Sequence, residues 1–182
     1  PPLRCWDVLS WNVRGLNSEK KQLAPNNAII SSGCAVVCLQ VPKMPDVSFA
    51  FITTCFPKQF VRYAFVASRG ASGGHLTVWK SALFMGNVIF ADVFALTVGF
   101  VSTQSSQSWS LVNIYGPCTG DDREAFITWL YDVQIPNGQD WLLLGDFNYM
   151  RAPYNRNKLG GNLNDMITFN DIHCDQTCTK NL

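Results

Sequence analysis

Residues 34–40, CAVVCLQ, are apolar without a break until the closing glutamine, with the β-branched pair Val36 and Val37 near the middle. An amphipathic helix or half-exposed strand would show a polar side in its sequence; a short run with none reads as a strand buried on both faces. A second run of this kind, WLLLGD at 141–146, ends in a carboxylate. Strands buried on both faces need a covering layer on each side, so the rest of the chain must supply helices or a second sheet.

The other segments supply both. A strand ending near Asn12 opens the chain in CWDVLSWNVRGLN, with Gly15 and Asn17 making the turn. RYAFVAS, HLTVWK, NVIFAD, FALTVGFV and WSLVNIYGP then give five strand candidates separated by Gly and Ser. Residues 19–31, EKKQLAPNNAIIS, place Leu23, Ala24, Ala28 and Ile30 near helical spacing. Pro25 in their middle costs about 3 kcal/mol or kinks the chain, so a broken or short helix is expected. VPKMP at 41–45 reads as a rigid loop. The strongest helical signal is GDDREAFITWLYDVQIPNG. It has Asp121 or Asp122 as cap, acids in the first turn, Phe126, Trp129, Leu130 and Val133 at core-facing spacing, and Pro136 with Gly138 to close it. The pattern predicts a mixed α/β layer fold. No internal repeat or linker divides it, so one domain is expected.

With 182 residues, 47% of them hydrophobic, the chain has apolar material for a substantial core. A formal charge of +1 demands no polyanionic partner, but Arg151, Arg156 and Lys158 form a local basic cluster that permits one. No run is apolar enough to span a bilayer, and PPLRCWDVLS lacks the features of a signal peptide. The expected location is intracellular, nucleus or cytoplasm. The first residue is Pro1, so the start is expected to be a processed end or an internal boundary. Seven cysteines, an odd number, are expected to be mostly reduced core residues. His173, Cys174 and Cys178 at the end do not have the spacing of a zinc knuckle and read as coincidental. GASGG at 70–74 fits a nucleophile-elbow pattern around Ser72, but that motif needs a helix after its turn, and the strand-like HLTVW follows instead.

Asp146 follows a buried strand and Gly145, which would put its carboxylate at the C-terminal edge of a sheet, a common place for ligands. An Asp capping its own turn would look the same. Asn12 and Tyr115 also end strands, and three such polar groups can converge.

LSWNVRGLN, AVVCLQ, GASGGHLTVW, LVNIYGP and WLLLGDFN occur in the order and approximate spacing of the endonuclease/exonuclease/phosphatase superfamily. Over about residues 7–172 the sequence most resembles the endonuclease domain of plant LINE-type (non-LTR) retrotransposons, itself similar to apurinic endonucleases. The resemblance implies a DNase I-like four-layer α/β/β/α sandwich, incomplete at the C-terminus, with 173–182 as a divergent tail. It further implies DNA phosphodiester hydrolysis with Mg²⁺. On this resemblance Asn12 contacts the metal or its ligand shell, Tyr115 lies against the scissile phosphate, Asp146 orients and activates water, and Asn148 donates to developing charge. Asn12 and Asp146 would be the metal-site residues, and Arg151, Arg156 and Lys158 would face nucleic acid.

Two departures qualify that activity. Where the family has a metal-binding Glu after its VVCLQ-like strand, this chain has Val41, and the stiff segment with Pro42 and Pro45 keeps Asp46 from replacing it. The family's closing Ser-Asp-His stretch has no counterpart; the two histidines are His75, expected at a surface or satisfied strand position, and His173. The resemblance therefore implies an impaired or inactive phosphodiesterase. The alternative is a non-catalytic module, adopted by a host gene, that binds nucleic acid or a protein covering the sheet edge left open by missing strands.

Overall fold

The apolar run at 34–40 forms β2 (Val36–Gln40), and every residue of that strand is buried. Its side chains alternate. Val37 and Leu39 join a cluster with Leu76, Val78, Ile29, Ile52, Cys55 and Phe56, while Val36 and Cys38 join another with Trp79, Phe84, Leu96, Val98, Phe100 and Leu111. The first cluster packs the helices α1 (Glu19–Ser32) and α2 (Phe49–Cys55), and the second packs another sheet. The period of two in a strand divides one sequence run between two cores.

The structure, a computed structural model, describes residues 6–16, 18–68, 73–105, 107–118, 120, 122–133, 140–155 and 162–178. The first sheet has the order β1-β2-β4-β3, from β1 (Val8–Asn12), β2, β3 (Phe60–Val66) and β4 (His75–Lys80). The second has the order β5-β6-β7-β8, from β5 (Phe84–Ala91), β6 (Ala95–Ser102), β7 (Ser108–Tyr115) and β8 (Asp140–Asp146). β1 runs parallel to β2 and β8 parallel to β7; all other pairings are antiparallel. Two further helices, α3 (Asp122–Asp132) and α4 (Leu163–Cys178), complete a mixed α/β fold with two sheets and four α-helices among the described residues. Among the described residues no helix is long and apolar enough to cross a membrane.

The chain divides into two compact units. The first comprises Pro1–Tyr115 and Ile135–Asp146 and holds both sheets with α1 and α2; the second comprises Gly116–Gln134 and Phe147–Leu182 and holds α3 and α4. In the first unit a cluster of aromatic rings from Trp6, Trp79, Phe84, Phe100 and Trp109 fills the space between the sheets. A Cβ on Gly86 would meet the Trp79 ring at 2.7 Å, so the missing side chain there makes room for the indole. In the second unit Phe126, Tyr149, Phe169 and Phe147 form a chain of ring contacts.

The expectation of a broken first helix is corrected: α1 runs unbroken through Pro25. The ring of Pro25 is buried, and Ile29 one turn on is buried with it, whereas Leu23 and Ile30 are exposed. Burial of Pro25 and Ile29 on one face offsets the backbone hydrogen bond that proline removes. The helix at 120–138 begins by Asp122 and buries Phe126 and Leu130, with Trp129 and Val133 half-buried; Asp121, Pro136 and Gly138 lie outside the described residues. Cys34, Cys38 and Cys55 are free and buried, as expected, while Cys118 is exposed. Burial raises the Cys55 thiol to about 11 and the Cys38 thiol further still, so both stay protonated.

Candidate functional site

β1 and β8 are end strands of the two sheets, and they finish at Asn12 and Asp146. The Asn12 amide Nδ2 donates to Asp146 Oδ2 at 2.6 Å, and the Arg14 backbone N–H donates to Asn12 Oδ1 at 3.2 Å. Tyr115 ends β7 directly opposite Asp146 in the parallel register. Three of the four residues singled out as catalytic therefore end strands of the first unit, and two of them touch.

Gly145 is why Asp146 can sit where it does. Its φ is 143°, a region open to glycine, and a Cβ there would collide with the Ile114 carbonyl oxygen. The strand approaches its neighbour too closely for any other residue.

Beneath the strand ends lies a buried polar network that sequence reasoning missed. Gln40 Nε2 donates to Asn113 Oδ1 at 2.7 Å and to Ser10 Oγ at 3.1 Å. Asn113 Nδ2 contacts the carbonyl oxygens of Leu39 and Leu76 and the Thr77 hydroxyl at 3.2–3.4 Å. The network ties β2 and β4 of one sheet to β7 of the other. Its signal in the sequence was a lone amide inside an otherwise apolar strand, Asn113 in LVNIY, and another ending CAVVCLQ.

Val41 follows β2 with φ 58°, which is strained for a β-branched residue. Surrounding hydrogen bonds hold it there. Its N–H donates to Gly74 O at 3.1 Å, its carbonyl accepts from Gly15 N–H at 2.7 Å, and the Lys43 N–H donates to Gly73 O at 3.2 Å. The isopropyl group is buried against Gly73, where a Cβ could not fit. Asp46 is exposed.

The Mg²⁺ implied by the resemblance can be tested against these donors. Asp146 brings one carboxylate, and one of its oxygens already accepts from Asn12; the Asn12 carbonyl oxygen accepts from a backbone N–H. Val41 offers no donor, and among the described residues no group of three or more His, Cys, Asp or Glu side chains comes together. Mg²⁺ takes near-octahedral oxygen coordination and is held by carboxylates with waters and substrate phosphates. Asn12 and Asp146 thus offer one carboxylate and one amide, and Val41 withholds the second anion that a glutamate would add, which leaves a weak donor set for Mg²⁺.

Asn148 lies in the second unit, at φ 53°, and its Nδ2 donates to Gly116 O at 2.7 Å. Arg151 is exposed; its Nε donates to Asn170 Oδ1 at 3.1 Å, and Asn170 Nδ2 donates back to the Arg151 carbonyl at 2.8 Å. Arg156, Lys158 and Ser72 lie outside the described residues, as do the side chains of His173, Cys174 and Cys178. His75 is fully buried in β4. Its Nε2 bonds the Phe94 carbonyl at 3.1 Å, while Nδ1 finds no hydrogen-bond partner among the described residues. Burial lowers its pKa to about 4, with the Phe94 contact opposing, so the ring is neutral at physiological pH.

Two four-stranded sheets packed face to face, with helices in both units, are a DNase I-like arrangement, the fold of endonuclease and phosphodiesterase domains. Among solved structures, the chain is similar to an AP endonuclease from Leishmania major, with TM-score 0.66 and 18% identity over 91% of this chain and 65% of that one. It is similar to the endonuclease domain of TRAS1, a telomere-specific non-LTR retrotransposon, with TM-score 0.62 and 13% identity over 91% of this chain and 71% of that one. The catalytic domain of Xenopus laevis APE2 gives TM-score 0.60 and 17% identity over 90% of this chain and 66% of that one. The chain thus spans less than two thirds of the length of the Leishmania protein. No protein-family model matches the sequence, and no curated protein is significantly similar to it.

Proposed function

We propose that this chain is a degenerate phosphodiesterase domain of non-LTR retrotransposon origin, directed at the DNA backbone and with little or no turnover. The observation that carries the reading is the Asn12–Asp146 hydrogen bond at the ends of β1 and β8; Val41 occupies the sequence position at which the resembling family carries a metal-binding Glu. In this reading Asp146 takes a proton from the attacking water, and Asn12 holds the carboxylate in place. Tyr115 donates to phosphate oxygens as charge builds, and the same role for Asn148 rests on the family resemblance alone. A cation at the developing charge is worth several kcal/mol in such transition states, and Val41 in place of a glutamate weakens its hold.

The test is nicking of supercoiled plasmid by purified protein in Mg²⁺ or Mn²⁺. The expected rate is at least about a hundredfold below that of an endonuclease with a complete site, and Asp146→Ala removes what remains. Nicking that survives Asp146→Ala unchanged would show that the site has been misassigned.

One observation favours a second reading, a nucleic-acid-binding module. Arg151 is exposed and held in place by reciprocal hydrogen bonds with Asn170, which lowers the entropy lost when its guanidinium meets a phosphate. A protein partner is also compatible: among the described residues β8 pairs only with β7, and a strand could be added along its other edge.

A further inference from the structure

We infer that Arg123 is a positioning residue: it sets the conformation of the loop that carries Asn148 and of the turn that follows Tyr115. The assignment of that loop to phosphate rests on the reading above; the positioning does not. Arg123 stands in the first turn of α3, where a cation is unfavourable beside the positive end of the helix dipole. Its guanidinium turns instead onto carbonyl groups. Nη1 lies within hydrogen-bond reach of the Pro117, Cys118 and Asn148 carbonyl oxygens at 3.2, 3.3 and 3.1 Å. Nη2 donates to Asp165 Oδ2 of α4 at 2.7 Å. The group also lies 4.0 Å from the centre of the Tyr149 ring, and the Tyr149 hydroxyl donates to the Arg123 carbonyl at 3.1 Å. One side chain thus gathers 117–118, 148–149 and α4.

The gathered loops leave little freedom. Asn148 holds a left-handed φ of 53° and bonds Gly116 O, and a Cβ on Gly116 would collide with the Phe147 carbonyl oxygen. A planar fork of donors can serve several carbonyls and a carboxylate at once, whereas an ammonium can satisfy the carboxylate but not the whole set. Arg123→Lys therefore keeps the ion pair with Asp165 and releases the loops.

The reporter is the Asn148 side-chain amide in an ¹⁵N-correlated NMR spectrum of the full chain, assigned by its loss in Asn148→Ser. Arg123→Lys is expected to move this pair toward the position of a solvent-exposed amide while the β1 and β2 backbone peaks stay in place. An unmoved Asn148 pair in folded Arg123→Lys overturns the inference. Should that variant fail to fold, Asp165→Asn keeps the guanidinium and weakens its anchor; a smaller displacement of the same pair is then expected, and none overturns the inference. Titration with a short DNA duplex reads the phosphate assignment separately. Duplex should shift the Asn148 pair of the unmodified protein, and Arg123→Lys should bind it about tenfold more weakly. If duplex leaves the pair unmoved while Arg123→Lys displaces it, positioning stands and the phosphate reading falls.

Discussion

Gly145 and His75 show how much a single position can carry in this fold. The first turns the chain into Asp146 through a conformation and a closeness that a side chain would forbid. The second is a basic group held neutral inside β4, with a folded pKa of about 4 against an ordinary 6.5. As pH falls below 6.5 the unfolded chain binds a proton that the folded chain refuses, so stability declines until about pH 4 and then levels off. The loss across that window is about 3 kcal/mol at most. Urea unfolding at a series of pH values measures it, and His75→Gln should flatten the decline between pH 6.5 and 4. The strand position of His75 was legible from the alternating HLTVWK; its full burial was not, because the cover comes from chain distant in sequence.

Among the elements, strands were read more reliably than helices. All eight strands announced themselves by apolar runs and alternation, but burial does not follow the pattern in β5, where Val88, Ile89 and Phe90 are exposed, or in β8, read as buried on both faces, where no residue is fully buried and Leu142 is exposed. α2 went unread. Its seven residues, FAFITTC, are too short and too uniformly apolar to show a helical period, and the remaining clue is Ser48, whose hydroxyl accepts from the Phe51 N–H at 3.1 Å. α1 was expected to break at Pro25, yet tertiary packing of Pro25 and Ile29 outweighs the local penalty. Pro25→Ala should restore the missing backbone hydrogen bond while giving up some buried surface, a net gain of about 1 kcal/mol. Thermal unfolding should show a higher Tm; a fall would mean that the ring's packing is worth more than the bond.

At the scale of the molecule, two features bear on what the chain does. The sheets of the first unit meet across an apolar core pinned by the buried Gln40–Asn113 amides. Asn113→Ala leaves Gln40, two carbonyl groups and the Thr77 hydroxyl short of a partner and should cost about 2–3 kcal/mol. Replacing both amides with leucine should recover much of that, as chemical denaturation of the single and double variants would show. The second feature is charge. With a formal net charge of +1, DNA affinity must come from local cations. Arg151→Gln should lower the slope of log K against log salt by about one and weaken binding alike on all sequences, measured by fluorescence anisotropy. A salt response that is already flat in the unmodified protein would remove the nucleic-acid reading.

The sequence by itself determined the layered mixed α/β class, the positions of the strands, the helix at 122–132 and the strand-end placement of Asn12, Tyr115 and Asp146. Those follow from periodicity and punctuation within a few residues. The tertiary structure decided what lies far apart in the chain: Asn12 touching Asp146 across 134 positions, Gln40 meeting Asn113, and Arg123 drawing two loops and α4 together. A strand's own sequence records which of its faces is apolar. It carries no record of which distant amide will reach its last carboxylate, because that distance exists only once the sheets have paired and stacked.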